Sequence, residues 1–183
     1  MDFAFYNCSS LKSLSISNFN TKKVSQMTHM FGYCSSFTLL DLSNFYTDSV
    51  IDISYMFQGC SELTSINLRN FNTSQVNNMG GMFFSCSKLA SLNLSNFDTS
   101  QVTYMGYMFY YNLKLSSLYI SNFDTSNVID MRSMFYYCYL LDSLDLSNFN
   151  TSKVTDMSRM FNGCIDLIYL NLSSFDTSSV TNL

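Results

Sequence analysis

The sequence predicts an α/β solenoid of seven coils of 26 residues, with one parallel β-sheet face and short helical segments on the other. Three columns of residues predict it. Phe19, Phe45, Phe71, Phe97, Phe123, Phe149 and Phe175 recur without a single insertion. Cys8, Cys34, Cys60, Cys86, Cys138 and Cys164 keep the same step, as do Val24, Val50, Val76, Val102, Val128, Val154 and Val180.

Taking 1–26 as the unit, nine positions are apolar: Met1, Ala4, Phe5, Cys8, Leu11, Leu14, Ile16, Phe19 and Val24 with their equivalents. Of the 63 residues so placed only Asn112 is polar, so like must stack on like from coil to coil. Within a coil, Leu11, Leu14 and Ile16 carry the period-2 signature of a short half-buried strand. Asn18 and Phe19 then turn the chain. Val24, Met27, Met30 and Phe31 lie three or four apart, the stripe of a short helical segment that Thr21 or a neighbour would cap.

One such unit cannot cover its own apolar edge, but a stacked neighbour can. Strands at about 4.8 Å spacing would make a rod on the order of 34 Å long. Residues 1–183 therefore read as one solenoid domain: seven units over 1–182, the first residue of an eighth, and no evident capping units.

Composition excludes several classes of function. A net charge of -4, a pI near 4.6 and a lone adjacent basic pair, Lys22 and Lys23, leave no basic stripe to neutralise phosphates, so no nucleic-acid partner is expected. No apolar run approaches the ~20 residues of a membrane helix, and no leader segment opens the sequence. With one histidine, His29, no triad of the usual kind can be assembled. His29 itself falls in a variable column expected to face solvent. No catalytic residue, metal site or cofactor is predicted, and the protein reads as a non-enzyme.

At Leu11-x-x-Leu14-x-Ile16-x-x-Phe19, repeated at Leu63 to Phe71 and Leu89 to Phe97, the chain resembles the strand half of a leucine-rich repeat. The run from Leu94 to Val102, followed by Met105, Met108 and Phe109, resembles the 26-residue repeat of bacterial surface proteins, the BspA-like group. The resemblance covers all seven units. It implies a leucine-rich-repeat-like, right-handed coil stack displayed at a microbial surface, extracellular or on the cell, with adhesion to a protein or glycan ligand. It transfers no catalytic residues.

The columns also bound the candidate sites. The Cys column, one coil apart in an apolar position and without C-x-x-C pairs, fits buried thiols; disulfides between adjacent coils and a thiolate metal site are the alternatives. Asn18, Asn44, Asn70, Asn96, Asn122 and Asn148, closed by Ser174, form a ladder expected to satisfy backbone groups at the turn after the strand. Asp98, Asp124 and Asp176 read as turn or cap residues, with calcium as the sharper alternative. Asn112 interrupts the Cys column and is expected to cost stability if buried without partners.

Tyrosine is the least uniform feature. Tyr104, Tyr107, Tyr110, Tyr111, Tyr136, Tyr137 and Tyr139 crowd the region of the fifth and sixth units, and Tyr119 is the one large side chain in the solvent column of the strands. They form a candidate binding patch, because tyrosine offers rigid apolar area with a polar tip; extra core is the alternative. Met1 and Leu183 occupy the same column seven periods apart. The expected function is thus a surface-displayed protein-binding or adhesion module, with end-to-end self-association into filaments as the alternative.

Overall fold

Each coil from the second to the seventh contributes one three-residue strand: β1 Leu39–Asp41, β2 Ser65–Asn67, β3 Ser91–Asn93, β4 Ser117–Tyr119, β5 Ser143–Asp145 and β6 Tyr169–Asn171. The computed structural model describes all residues from Met1 to Leu183. The strands pair in parallel as β1-β2, β3-β4 and β5-β6, with Leu40 opposite Ile66, Leu92 opposite Leu118 and Leu144 opposite Leu170. The 26-residue register is therefore the register of the pairing. Instead of one continuous sheet there are three strand pairs. The unbroken ladder lies elsewhere, in parallel bridges linking Gln26, Asp52, Asn78, Tyr104, Asp130, Asp156 and Asn182.

The expected helical segments are absent, and the fold is all-β. The fourth coil shows what replaces them. The N–H groups of Met79, Gly81, Phe83 and Ser85 donate outward to Tyr104, which closes the coil, and to Gly106, Met108 and Tyr110 of the next coil, at 3.0, 2.9, 3.0 and 2.7 Å. Between them Met82, Phe84 and Cys86 close local turns onto Met79, Gly81 and Phe83. Turns with this alternation place residues 79, 82, 83 and 86 inward, which reproduces the i, i+3, i+4, i+7 pattern that reads as helix.

The physical reason is spacing. An α-helix is about 10 Å across, twice the roughly 4.8 Å between stacked strands. A run of turns whose N–H groups pair with the neighbouring coil lets both edges of the stack advance by the same step. It requires left-handed backbone twice per coil, and all fourteen residues in those two columns have it: Phe3, His29, Tyr55, Gly81, Tyr107, Ser133 and Arg159, then Asn7, Tyr33, Gly59, Ser85, Tyr111, Tyr137 and Gly163, with φ from 51° to 79°. Eleven of these are not glycine, at about 1–2 kcal/mol each. The hydrogen bonds between coils hold them there.

The core is one cluster of 45 buried apolar residues built from the nine columns. Phe5, Phe31, Phe57, Phe83, Phe109, Phe135 and Phe161 stack in file, successive centroids 5.4–6.2 Å apart. Thr21, expected to cap a helix, instead clamps two coils. Its buried hydroxyl donates to the Tyr46 carbonyl and accepts from the Tyr46 N–H, both at 2.8 Å. Thr47, Thr125 and Thr151 do the same to Asn72, Asn150 and Asp176.

Candidate aromatic binding site

A residue in left-handed backbone at a turn edge points its side chain off the body of the coil, and half of those fourteen residues carry flat rings. With Tyr6, Phe84, Tyr110, Tyr136 and Tyr139 they form one connected stripe across the first six coils. His29 lies stacked between Phe3 (4.7 Å) and Tyr55 (5.0 Å), so it is half-buried in the stripe, not free in solvent; burial lowers its pKa, against the raising pull of Asp52 and Asp2. Tyr55 meets Phe84 at 6.2 Å. Phe84, Tyr110 and Tyr136 then stack face to face at 4.4 and 4.7 Å.

Six of the eight tyrosines in the predicted patch join this stripe. Tyr107 and Tyr111 flank Tyr110, Tyr137 packs on Tyr111 (5.6 Å) and Tyr136 (4.3 Å), and Tyr139 on Tyr137 (5.2 Å). Tyr104, 46% exposed, sits beside the stripe across a small cavity it lines together with Tyr55 and Tyr107. Tyr119 stands apart on β4, exposed on the strand face. The stripe also contains Phe3, Tyr6, His29, Tyr33, Tyr55 and Phe84, which the sequence reading did not collect.

A signal for them was present. Tyr6, Tyr33, Tyr55 and Tyr137 are each followed one coil later, in the same column, by Gly32, Gly59, Gly81 and Gly163. Each ring lies over that glycine: a Cβ at Gly32 would come within 2.9 Å of Tyr6 and one at Gly59 within 2.7 Å of Tyr33, while Gly81 and Gly163 face Tyr55 and Tyr137 still more closely.

Two hollows open along the same edge and share Tyr107 and Arg132. The larger, about 580 Å³, is walled by Phe84, Tyr107, Tyr110 and Tyr136, with Arg132, Asp156 and Arg159 among its polar groups. The smaller, about 250 Å³, has Gly80 and Gly106 in its lining with Tyr55, Tyr104, Tyr107, Asp130 and Arg132. Arg132 is tied to Asp130 (2.6 Å) and more loosely to Asp156 (3.5 Å). The Asp130 bond holds the guanidinium above its ordinary pKa. Burial works against the Asp156 carboxylate, yet the Ser158 hydroxyl (2.6 Å) and N–H (2.9 Å) keep its pKa low. Burial pushes the Tyr55 hydroxyl up.

The predicted ladders lie in the body of the stack. The Asn70 amide donates to the Ser43 carbonyl, Asn96 to Leu68 and Phe71, Asn122 to Leu94 and Phe97, and Asn148 to Phe123. Asn18 and Asn44 make no such bond. No cysteine is in a disulfide. The thiols of Cys34, Cys60, Cys86, Cys138 and Cys164 donate to the carbonyls of Phe5, Phe31, Phe57, Phe109 and Phe135 at 3.0–3.2 Å, and Cys8 makes no such bond. Burial drives Cys34 up to about 11 and Cys86 to about 12. Asn112 makes the same bond through its amide, to Phe83 at 2.9 Å, but its buried Oδ1 has no partner. Asp98, Asp124 and Asp176 each accept the N–H two residues on, from Ser100, Ser126 and Ser178, which is the turn-residue geometry.

A tandem-repeat coil stack with parallel strand pairs and a ring-bearing edge is thus the class that fold and site define. The chain belongs to the family described as "Mycoplasma protein of unknown function, DUF285", whose model matches residues 1–117 and again 88–183. No curated protein and no solved structure matches it. No helix is long and apolar enough to cross a membrane.

Proposed function

We propose that the protein is a non-catalytic binding or adhesion module, displayed at the cell surface, that engages a protein or glycan partner along its aromatic edge. The observation that carries this reading is the connected stripe of rings bordering the 580 Å³ hollow. Rigid tyrosines lose little entropy on contact and supply both apolar area and hydroxyls. The resemblance to BspA-like leucine-rich repeats supports the surface setting. The test is binding of the purified protein to immobilised purified matrix proteins and glycans, alongside a Tyr110→Ser/Tyr136→Ser variant whose folding is checked by circular dichroism. Equal binding by both proteins, or no binding by either, would sink the reading.

A second reading, a building block that stacks end to end, is favoured by one specific observation. The N–H groups of Arg159, Phe161 and Gly163 in the seventh coil find no acceptor, and the carbonyls of Asp2, Ala4 and Tyr6 in the first receive no donor. These are the groups that pair between every two neighbouring coils, so a first coil placed on a seventh would complete both sets. Sedimentation velocity over a wide concentration range separates the two readings: concentration-dependent rods support stacking, and a monomer throughout rejects it.

A further inference from the structure

Along the first left-handed column, rings are twice separated by a small residue, and the two gaps end differently. Tyr55 and Tyr107 stand two coils apart with Gly81 between them, and Phe84 closes that gap, its ring 6.2 Å from Tyr55 and 6.4 Å from Tyr107. Tyr107 and Arg159 also stand two coils apart, with Ser133 between them. No ring closes this second gap, because Tyr136 stacks back on Tyr110 at 4.7 Å and against Tyr137 at 4.3 Å. The 580 Å³ hollow lies at this open gap. Tyr107, the buried Ser133 and Arg159 all line it, with Phe84, Tyr110 and Tyr136 as further rings and Arg132, Asp156 and Ser158 as polar groups.

The charged groups fix what the hollow can take. Arg132 is held by Asp130 at 2.6 Å and lies 3.5 Å from Asp156. Arg159 is exposed and belongs to no ion pair. Lys23, Arg69 and Lys114 are unpaired as well, but neither ring-lined hollow includes them. Arg159 is thus the one cation here that a ligand's carboxylate can engage with both oxygens. Asp156 offers the opposite capacity: its Oδ1 is taken by Ser158, but its Oδ2 has only long contacts, to Arg132 at 3.5 Å and the Asn182 amide at 3.3 Å, and can accept from a hydroxyl. The serine and tyrosine hydroxyls can donate or accept, and the rings supply apolar contact. A carboxylate, several hydroxyls and an apolar C–H face occur together on an acidic sugar ring. A peptide carboxylate lacks the hydroxyls, and a phosphate lacks the apolar face.

We propose that this hollow binds a carboxylated pyranose, the uronic or sialic acid residue of an acidic glycan. The carboxylate sits on the Arg159 guanidinium, the C–H face of the sugar against Tyr107 and Tyr136, and the hydroxyls on Asp156, Ser133 and Ser158. The proposal rests on the reading of the protein as a binding module and commits the partner to a glycan. Rings already held by stacking on one another have little freedom left to lose, so the contact costs little ordering.

The test is titration of the intact, isotopically labelled protein with a hyaluronan tetrasaccharide and with sialyllactose, read by backbone amide NMR. Chitotetraose and lactose are the uncharged controls, and acetate is the carboxylate alone. Saturable shifts at the Ser133, Tyr136 and Arg159 amides are expected from at least one acidic sugar, with affinity about tenfold or more above its uncharged control, as one charge-assisted bond gives. Which acidic sugar binds separates uronic from sialic acid. Arg159→Gln should leave the melting temperature unchanged, since Arg159 is exposed and unpaired, and should bring the affinity down to that of the uncharged control. Ser133→Tyr puts a ring in the gap, as Tyr107 does one coil earlier, and should abolish the shifts; where it fails to fold, Arg159→Gln decides alone. Absence of saturable shifts from both acidic sugars at about 1 mM, a limit of very weak affinity, overturns the proposal. So does equal affinity for the uncharged controls, undiminished affinity in either folded variant, or the same shifts from acetate at the same concentration. The binding-module reading survives such a failure if Tyr110→Ser/Tyr136→Ser still weakens binding of a matrix protein, whereas equal binding by that double variant removes the reading itself.

Discussion

Replacing Thr125 by valine isolates the device that sets coil against coil. Thr125 is 1% exposed; its hydroxyl donates to the Asn150 carbonyl at 2.9 Å and accepts the Asn150 N–H at 2.8 Å. Valine has the same shape but neither capacity, so a donor and an acceptor are stranded at once. Each stranded group costs about 1–3 kcal/mol, while the exchanged methyl returns less than about 1 kcal/mol. The net loss is about 1–5 kcal/mol, and for a chain of this size each kcal/mol lowers the melting temperature by about 2–4 °C. Thr125→Ser keeps both bonds and gives up only a methyl, so it should lose about 1 kcal/mol. Urea unfolding followed by circular dichroism gives the stabilities, and hydrogen exchange at the Asn150 amide shows whether the opening is local, as a nearest-neighbour stack allows. A Thr125→Val protein within about 0.5 kcal/mol of the parent, or a serine variant weaker than the valine one, would refute the reasoning.

Three further outcomes follow from the same geometry. Because burial raises the thiols of Cys34 and Cys86 from 9 to about 11 and 12, they stay protonated when folded at a pH where the unfolded chain ionises; stability is therefore full below pH 9 and declines as pH rises toward 12, and a thiol reagent at pH 8 should label the inner cysteines only after denaturation. Gly163→Ala, at φ +79° with the Tyr137 ring over it, should cost more than about 1 kcal/mol, and Tyr137→Ala in the same chain should recover part of that cost; simple additivity in the double-mutant cycle would contradict the packing described. Asn112→Cys should raise the midpoint of unfolding by removing a buried Oδ1 without a partner, worth about 1–3 kcal/mol, while a thiol takes over the bond to Phe83; a lower midpoint would mean that Asn112 is satisfied.

The repeat, the nine inward columns and the parallel strand at Leu40 or Leu92 were legible because burial leaves a chemical residue in the sequence: a column that must be apolar stays apolar. The helical reading of Val24 to Phe31 failed because the inward pattern of a helix and of alternating turns is the same. What distinguishes them is where the N–H groups go, and a hydrophobic pattern is silent on that. The distinguishing clue lay in spacing, since helices cannot stack at the step of single strands without the stack curving. His29 was misplaced for a related reason. Its column varies in identity, which reads as solvent exposure, yet a left-handed residue there leans along the edge and covers its neighbour. Of the candidate patch, Tyr107, Tyr110, Tyr111, Tyr136, Tyr137 and Tyr139 were legible as a group because neighbouring coils bring equal columns together. Tyr119 was read from the solvent column of the strands, and it stands exposed there on β4, apart from the stripe.

Most departures from the repeat turn out to be answered by a neighbouring coil. A tyrosine is met by a glycine beneath it, as at Tyr33 and Gly59; Asn112 loses the thiol but retains its bond to Phe83. Such matched changes are what stacking demands, because any side chain laid over an edge needs room in the following coil. They consequently say more about packing than about a partner.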